Sequence, residues 1–290
     1  MARSRSSQPE PTGGGGSRRG AAGRSRYELP EPELIVVAHP DAGLRATAMG
    51  LMAPAVDTAP LARSLGGASL KPLFEVTEDR LRYEASAAAA SGVDVPDLSV
   101  YYRVHDHGAD PQALAEELAS HEAISGAYVK PPAEPPELND MAPAPGDAPP
   151  ATADFTSRQG YLDAAPGGID ARAAWTVTGG GGAGVRIIDI EGAWRFTHED
   201  LLQNQGGVIG GTMSTDIGWR NHGTAVAGEF GGDRNPIGIT GITPDANIRA
   251  VSIFGGTGSA NAIRTAANAL SAGDIILIEL HRPEIGRAHV

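Results

Sequence analysis

GAGVRIIDIEGAW (Gly182–Trp194) decides the fold of the second half of this 290-residue chain. Its apolar run, Val185–Ile190, reads as a buried strand, and Asp189 gives that strand an acidic end. A strand that is apolar without alternation is covered on both faces, as in a parallel sheet flanked by helices. Downstream, Gly223–Phe230 reads as a helix, Asn247–Phe254 as a strand, Ala260–Ser271 as a helix and Asp274–Leu280 as a strand. Upstream, Gly167–Val177 reads as a short helix that carries Trp175 to the core. This alternation predicts an α/β unit, a parallel sheet with helices on both faces, from about residue 156 to 283. In such open sheets the sites lie at the carboxyl edge, where Asp189 stands.

The first half has a different order. Leu34–Pro40 is a strand candidate, Thr58–Leu65 a helix and Leu70–Val76 a strand. Thr77–Ala90 opens with a cap residue and acids and reads as a helix. Leu98–His105 is a strand, Pro111–Ile124 a helix with Pro at its first turn, and Ser125–Pro132 a short strand. Residues 31–131 are therefore expected to form a small ferredoxin-like α+β domain. Within it, His105-Asp106-His107 has the look of a metal pair, but no third ligand accompanies it, and the polar end of a strand explains it better. Residues 1–30, rich in Arg, Ser, Gly and Pro, are expected to be a disordered basic tail. The Pro-rich, acidic stretch 132–155 is expected to be a linker.

Composition narrows the function. The net charge of −12 argues against nucleic acid as a main partner. There is no cysteine, which excludes thiol chemistry, disulfides and Cys-based zinc sites. No apolar run has the length of a membrane helix, and no apolar segment follows the basic N-terminus as a secretory signal would require.

NHGTAVAG (Asn221–Gly228) is the second informative stretch. Small residues let a helix pack closely, and a histidine expected at its first turn would be held neutral by the helix dipole, ready as a base. Asp189 precedes His222 by 33 residues. A carboxylate so placed can hold an imidazole in the tautomer that general-base work needs. Asp before His, with a nucleophile later, is one of the known orders of the hydrolytic triad.

VRIIDIEGAWRFTHEDL (Val185–Leu201), NHGTAVAGEFGG (Asn221–Gly232), NPIGITGITPDANIRAVSIF (Asn235–Phe254) and ANAIRTAANALSAGDIILIEL (Ala260–Leu280) resemble, in order and spacing, the motifs of subtilisin-like serine proteases, the subtilases. The resemblance implies a serine endopeptidase acting on protein or peptide substrates, with Asp189 as orienting acid and His222 as general base. No cofactor is needed for such chemistry. Asp200, and Asn235 with the Ile237–Ile239 loop, resemble part of a family calcium site, but the set is incomplete and no metal is assigned. Subtilases are often secreted; location is left open here.

The sequence departs from the family pattern in three places. Ile190-Glu191-Gly192 follows the acid where the family has small residues. Glu279 and His281 fall where the cleft strand usually has Ser and Gly, so a large acid there is expected to narrow the pocket or favour a basic side chain. The serine of Gly-Thr-Ser-x-Ala is absent, and the nearest decoy, Ser259 in GTGSA, reads as a helix N-cap. The chain as given is thus expected to be an inactive fragment, with a non-catalytic pseudoprotease or interaction scaffold as the alternative. EIGRAHV (Glu284–Val290) can be written codon by codon as the start of a common sequencing adapter and is expected to be artefactual. By the same resemblance, the first domain is expected to be a propeptide-like intramolecular inhibitor whose last strand or linker enters the cleft.

Overall fold

The computed structural model describes residues 28–108, 110–136 and 152–282. The expected tail before Glu28, most of the linker, and the EIGRAHV segment lie outside the described residues.

The first sheet holds β1 (Glu33–Ala38), β4 (Ser69–Pro72), β5 (Tyr101–His105) and β6 (Ile124–Lys130) in the order β4-β5-β1-β6, every pair antiparallel. Between β1 and β4 lie a small hairpin, β2 (Arg45–Thr47) and β3 (Gly50–Met52), and the helix α1 (Ala59–Leu65). The hairpin is too short and mixed in character to announce itself in the sequence. Helix α2 (Glu78–Ala90) is capped by Thr77, whose hydroxyl accepts from Arg80 N. Helix α3 (Pro111–Ala119) is capped by Asp110, whose carboxylate accepts from Ala113 N. Leu34, Val36, Leu61, Tyr102, Val104 and Leu118 pack into one buried cluster between sheet and helices.

The second sheet is the parallel one expected. After the short helix α4 (Ala171–Ala174) come β7 (Arg186–Glu191), β8 (Gln205–Gly210), α5 (Ile217–Gly231), β9 (Asn247–Ser252), α6 (Gly258–Ala269) and β10 (Ile275–Ile278). The strand order is β10-β7-β9-β8, all parallel. Alternation along β7 sorts its residues between two cores. Ile188 and Ile190 pack with Val251, Ala262 and Ala266 on the α6 side. Ile187 packs with Val226, Ala227, Phe230, Ile248 and Ala250 on the α5 side. Asp189 and Glu191 share the parity of Ile187 and so belong to the α5 side.

Two helix starts differ from the sequence reading. Helix α5 begins at Ile217, not Gly223, because Asp216 caps it through a 2.7 Å bond from Gly218 N to its carboxylate. His222 is therefore the sixth residue of the helix and lies beyond the first turn, so the dipole argument for its neutrality does not hold. Helix α6 begins at Gly258, with Thr257 at the N-cap, and Ser259 is inside the helix rather than its cap.

Candidate active site

The carboxyl end of β7 and the middle of α5 meet because two glycines allow it. A Cβ on Gly192 would lie 2.8 Å from Trp219 Cγ of α5. A Cβ on Gly223 would lie 2.9 Å from Trp194 Nε1 and would overlap the Ala193 carbonyl oxygen. With hydrogen at both positions, the helix presses directly on the turn that follows β7, and His222 is brought over the strand end.

His222 is buried, with 1 % of its surface exposed. Its Nδ1 lies 2.7 Å from Oε2 of Glu191, itself fully buried. Asp189 does not make this contact. Its Oδ2 accepts instead from Trp194 Nε1 at 2.7 Å. The sequence reading placed the orienting acid at Asp189; the structure brings Glu191, two residues nearer the strand end on the same face, to the imidazole. The signal was in the sequence. Asp189 and Glu191 share one face of a period-2 strand, and the later one projects further past the sheet edge.

Burial sets the electrostatics. It lowers the His222 imidazole pKa, against the opposing charges of Glu279 and Asp189. It pushes the Glu191 carboxyl up to about 9, with help from the charge of Glu279. It raises Asp189 as well, reinforced by the charge of Glu191 and resisted by the Trp194 N–H. Glu279 follows Ile278, which pairs with Ile190, so it stands beside Glu191 at the end of the neighbouring strand. A neutral imidazole whose Nδ1–H donates to Glu191 leaves Nε2 free to take a proton from a nucleophile.

The described serines near this region are engaged elsewhere. Ser252 is buried, and its hydroxyl lies 2.9 Å from the carbonyls of Gly192 and Thr212. Ser259 accepts from Arg282 Nη2 at 2.9 Å and from Lys130 Nζ at 3.4 Å. The residues considered for calcium are hydrogen-bonded to one another. Asp200 accepts from Asn235 Nδ2 and from Ile239 N, both at 2.8 Å, so an N–H points at each of its oxygens. Asn235 Oδ1 accepts from Ile237 N. These bonds pin a loop. Among the described residues, no three His, Cys, Asp or Glu side chains gather as a metal site. No described helix is long and apolar enough to cross a membrane.

The first sheet's last strand leads to the same end of the molecule. Beyond β6, Glu134 and His281 exchange two backbone bonds of 3.0 Å in an antiparallel bridge. Ala133 is buried in the cluster of Ile188, Ile190 and Trp219. Arg282 donates from Nε to the Pro131 carbonyl. Carboxylates from the first unit also meet side chains of the second: Glu84 bonds Arg264 at 3.1 Å, and Glu134 Oε1 lies 3.5 Å from His281 Nε2. Glu33 pairs with Arg103 and Lys130 of its own unit, close to Gly258 at the start of α6.

Comparison with known proteins gives a partial likeness. No family model matches the chain. Over 79 residues, 27 % of the chain, it is 35 % identical to subtilisin Savinase of Lederbergia lenta, covering 29 % of that protein. At the same identity and length it matches the alkaline proteases of Alkalihalobacillus alcalophilus and Shouchella clausii, covering 20 % of each. The chain thus spans less than a third of the length of these curated relatives. The likeness supports a relationship to the subtilisin-type proteases.

Proposed function

We propose that this chain carries the general base and orienting acid of a subtilisin-like serine endopeptidase. His222 is the base and Glu191, in place of the Asp189 read from sequence, is the acid that orients it. The observation that carries the reading is the buried 2.7 Å contact between His222 Nδ1 and Glu191 Oε2 at the carboxyl end of a parallel sheet. In the reaction, a serine hydroxyl would attack a peptide carbonyl and pass its proton to His222 Nε2. Glu191 would stabilise the imidazolium that forms. The described residues supply no serine to that ring, so the 290-residue sequence is proposed to be silent as it stands.

The first unit, in this proposal, is a ferredoxin-like inhibitory domain. Its support is the antiparallel bridge Glu134–His281. The bridge brings the chain leaving the first unit beside the end of β10, two residues past Glu279, which stands beside Glu191; in this proposal it enters the cleft there. Edman sequencing of the mature full-length gene product tests this: a new N-terminus within 131–155 is expected, and one upstream of Leu34 refutes it.

Labelling the full-length gene product with a serine-directed phosphonate tests the catalytic reading. Labelling that is lost in His222→Ala supports it. A complete gene without a downstream serine motif, and no labelling, would leave the pseudoprotease scaffold as the function.

A further inference from the structure

The residues that lead into β1 meet the start of helix α5, and Glu28 makes the contact. Its N–H donates to Asp216 Oδ2 at 2.9 Å. Its carbonyl accepts from Trp219 Nε1 at 2.6 Å, and its carboxylate accepts from Ser214 Oγ at 2.5 Å. The partners are themselves fixed. Asp216 uses its other oxygen to cap α5 at Gly218 N. Trp219 is fully buried, against Gly192 and edge-on to Phe254. It stands three residues before His222 on the same helix. One residue is thus held by backbone and side chain together, on the helix that carries the base.

The stretch that follows is built to span. Glu28-Leu29-Pro30-Glu31-Pro32-Glu33 has a proline at every second position from 30 to 32. Each proline fixes its own φ and biases the residue before it toward extended backbone. At about 3.1 Å per residue the stretch is a stiff strap of about 15 Å. Its far end is anchored in the first unit, where the Glu33 carboxylate pairs with Arg103 and Lys130. The strap lines a hollow of about 650 Å³ that Phe254 and Gly256 of the second unit also line. Exposed hydrogen bonds hold a floppy segment poorly, because the segment must be ordered to make them. A strap with few free conformations loses little on docking, so its three bonds count nearly in full.

We propose that residues 28–33 are a latch: the Ser214–Trp219 stretch is a docking site for an extended acidic residue, and Glu28 in that site fastens the first unit to α5 independently of the linker after β6. A cut in the linker then leaves the first unit held at two places, the Glu134–His281 bridge and the helix of His222. Its release requires the latch to open.

The latch deepens the proposed inhibitory role of the first unit, and its test needs no turnover. A site-specific protease sequence placed within residues 138–150 of the chain lets the linker be cut at will. Three versions are compared after the cut: one lacking residues 1–26, which keeps Glu28; one lacking residues 1–29; and the first with Trp219→Phe. Gel filtration over a dilution series gives the Kd of the two pieces. One hydrogen bond corresponds to about a two- to tenfold change in Kd, so Trp219→Phe should weaken the pair by about that factor, and loss of Glu28 by more than about tenfold. In the uncut chains, amides 214–219 should exchange faster without Glu28. Equal Kd with and without Glu28 overturns the latch, as does separation of the Glu28-containing pieces as readily as of those without it. If Trp219→Phe does not fold, the two deletions decide, since Glu28 belongs to neither core. Equal Kd together with a new N-terminus within 131–155 would remove the latch alone. A Kd difference without that N-terminus would remove the inhibitory reading alone.

Discussion

Helix α5 carries two glycines whose replacement should act in opposite directions. Both Gly223 and Gly228 lie inside the helix with no positive φ, so neither needs glycine for its backbone. Alanine at either place gains about 1 kcal/mol of helix propensity. The difference is what the new methyl meets. At Gly228 its nearest neighbour is Ile239 Cδ1 at 3.4 Å, the free end of a flexible side chain. At Gly223 it overlaps the Ala193 carbonyl and sits 2.9 Å from Trp194 Nε1. One of these is backbone, and the other is an indole pinned to Asp189, so neither can give way. Overpacking of that kind costs about 1–3 kcal/mol, and more where no neighbour can move. Gly228→Ala should therefore stabilise by up to about 1 kcal/mol, and Gly223→Ala should destabilise by about 1–2 kcal/mol once its propensity gain is subtracted. Urea titrations of the two variants beside the wild type measure the gap, and thermal melts should separate them by roughly 4–8 °C. Shifts of equal sign and size would show that α5 does not press on the turn after β7, and the account of how His222 reaches Glu191 would fail with it.

Other outcomes follow from the same contacts. In the full-length gene product, Glu191→Gln should lower kcat by about 10³–10⁴, since the amide can hold the wrong tautomer, whereas Asp189→Asn should lose far less. Steady-state kinetics on a peptide substrate separates the two, and a larger loss in Asp189→Asn would restore Asp189 as the orienting acid. Trp194→Phe keeps the ring but removes the donor to Asp189 Oδ2, leaving a buried oxygen unpaired; a loss of about 1–3 kcal/mol in denaturant unfolding is expected. The Asp274 carboxyl is held below its ordinary range by the backbone N–H groups of Arg186 and Ser271. A depressed carboxyl contributes stability that is present above the unfolded value, near 3.8, and is lost as pH falls through the folded one. Asp274→Asn should flatten the acid limb of the stability curve below about pH 4 and leave pH 7 to 8 unchanged in slope.

The parallel sheet was legible in the sequence because apolar strands such as Val185–Ile190 alternate with helical stretches. The edges of helices were less legible. Helix α5 starts four residues before the Asn221–Gly228 motif, with a cap at Asp216 that has no hydrophobic run behind it to mark it. The β2–β3 hairpin and β8 are short and rich in glycine or polar residues, so neither period stands out. His222 stands out by its own motif, and Asp189 by its place at the end of an apolar strand and by the family resemblance; neither signal says which of two acids on one strand face meets the ring, and in the structure Glu191 makes that contact.

What makes that choice is a residue outside both motifs' chemistry. After Glu191 the chain turns through Gly192 and Ala193 and lays the Trp194 indole back along the α5 face of β7. Its N–H donates to Asp189 Oδ2 at 2.7 Å and so occupies that oxygen. Gly192 and Gly223 are the conditions for that turn to fit beneath α5. The longer glutamate is the acid that meets Nδ1, at 2.7 Å. An aspartate at 191 would be one methylene short of the same oxygen position, about 1.5 Å, which is half the length of the hydrogen bond it would have to make. Glutamate at 191, tryptophan at 194 and glycine at 223 therefore form one geometric solution. Changing the acid alone to its shorter homologue is expected to leave the imidazole without a partner, however subtilisin-like the surrounding sequence.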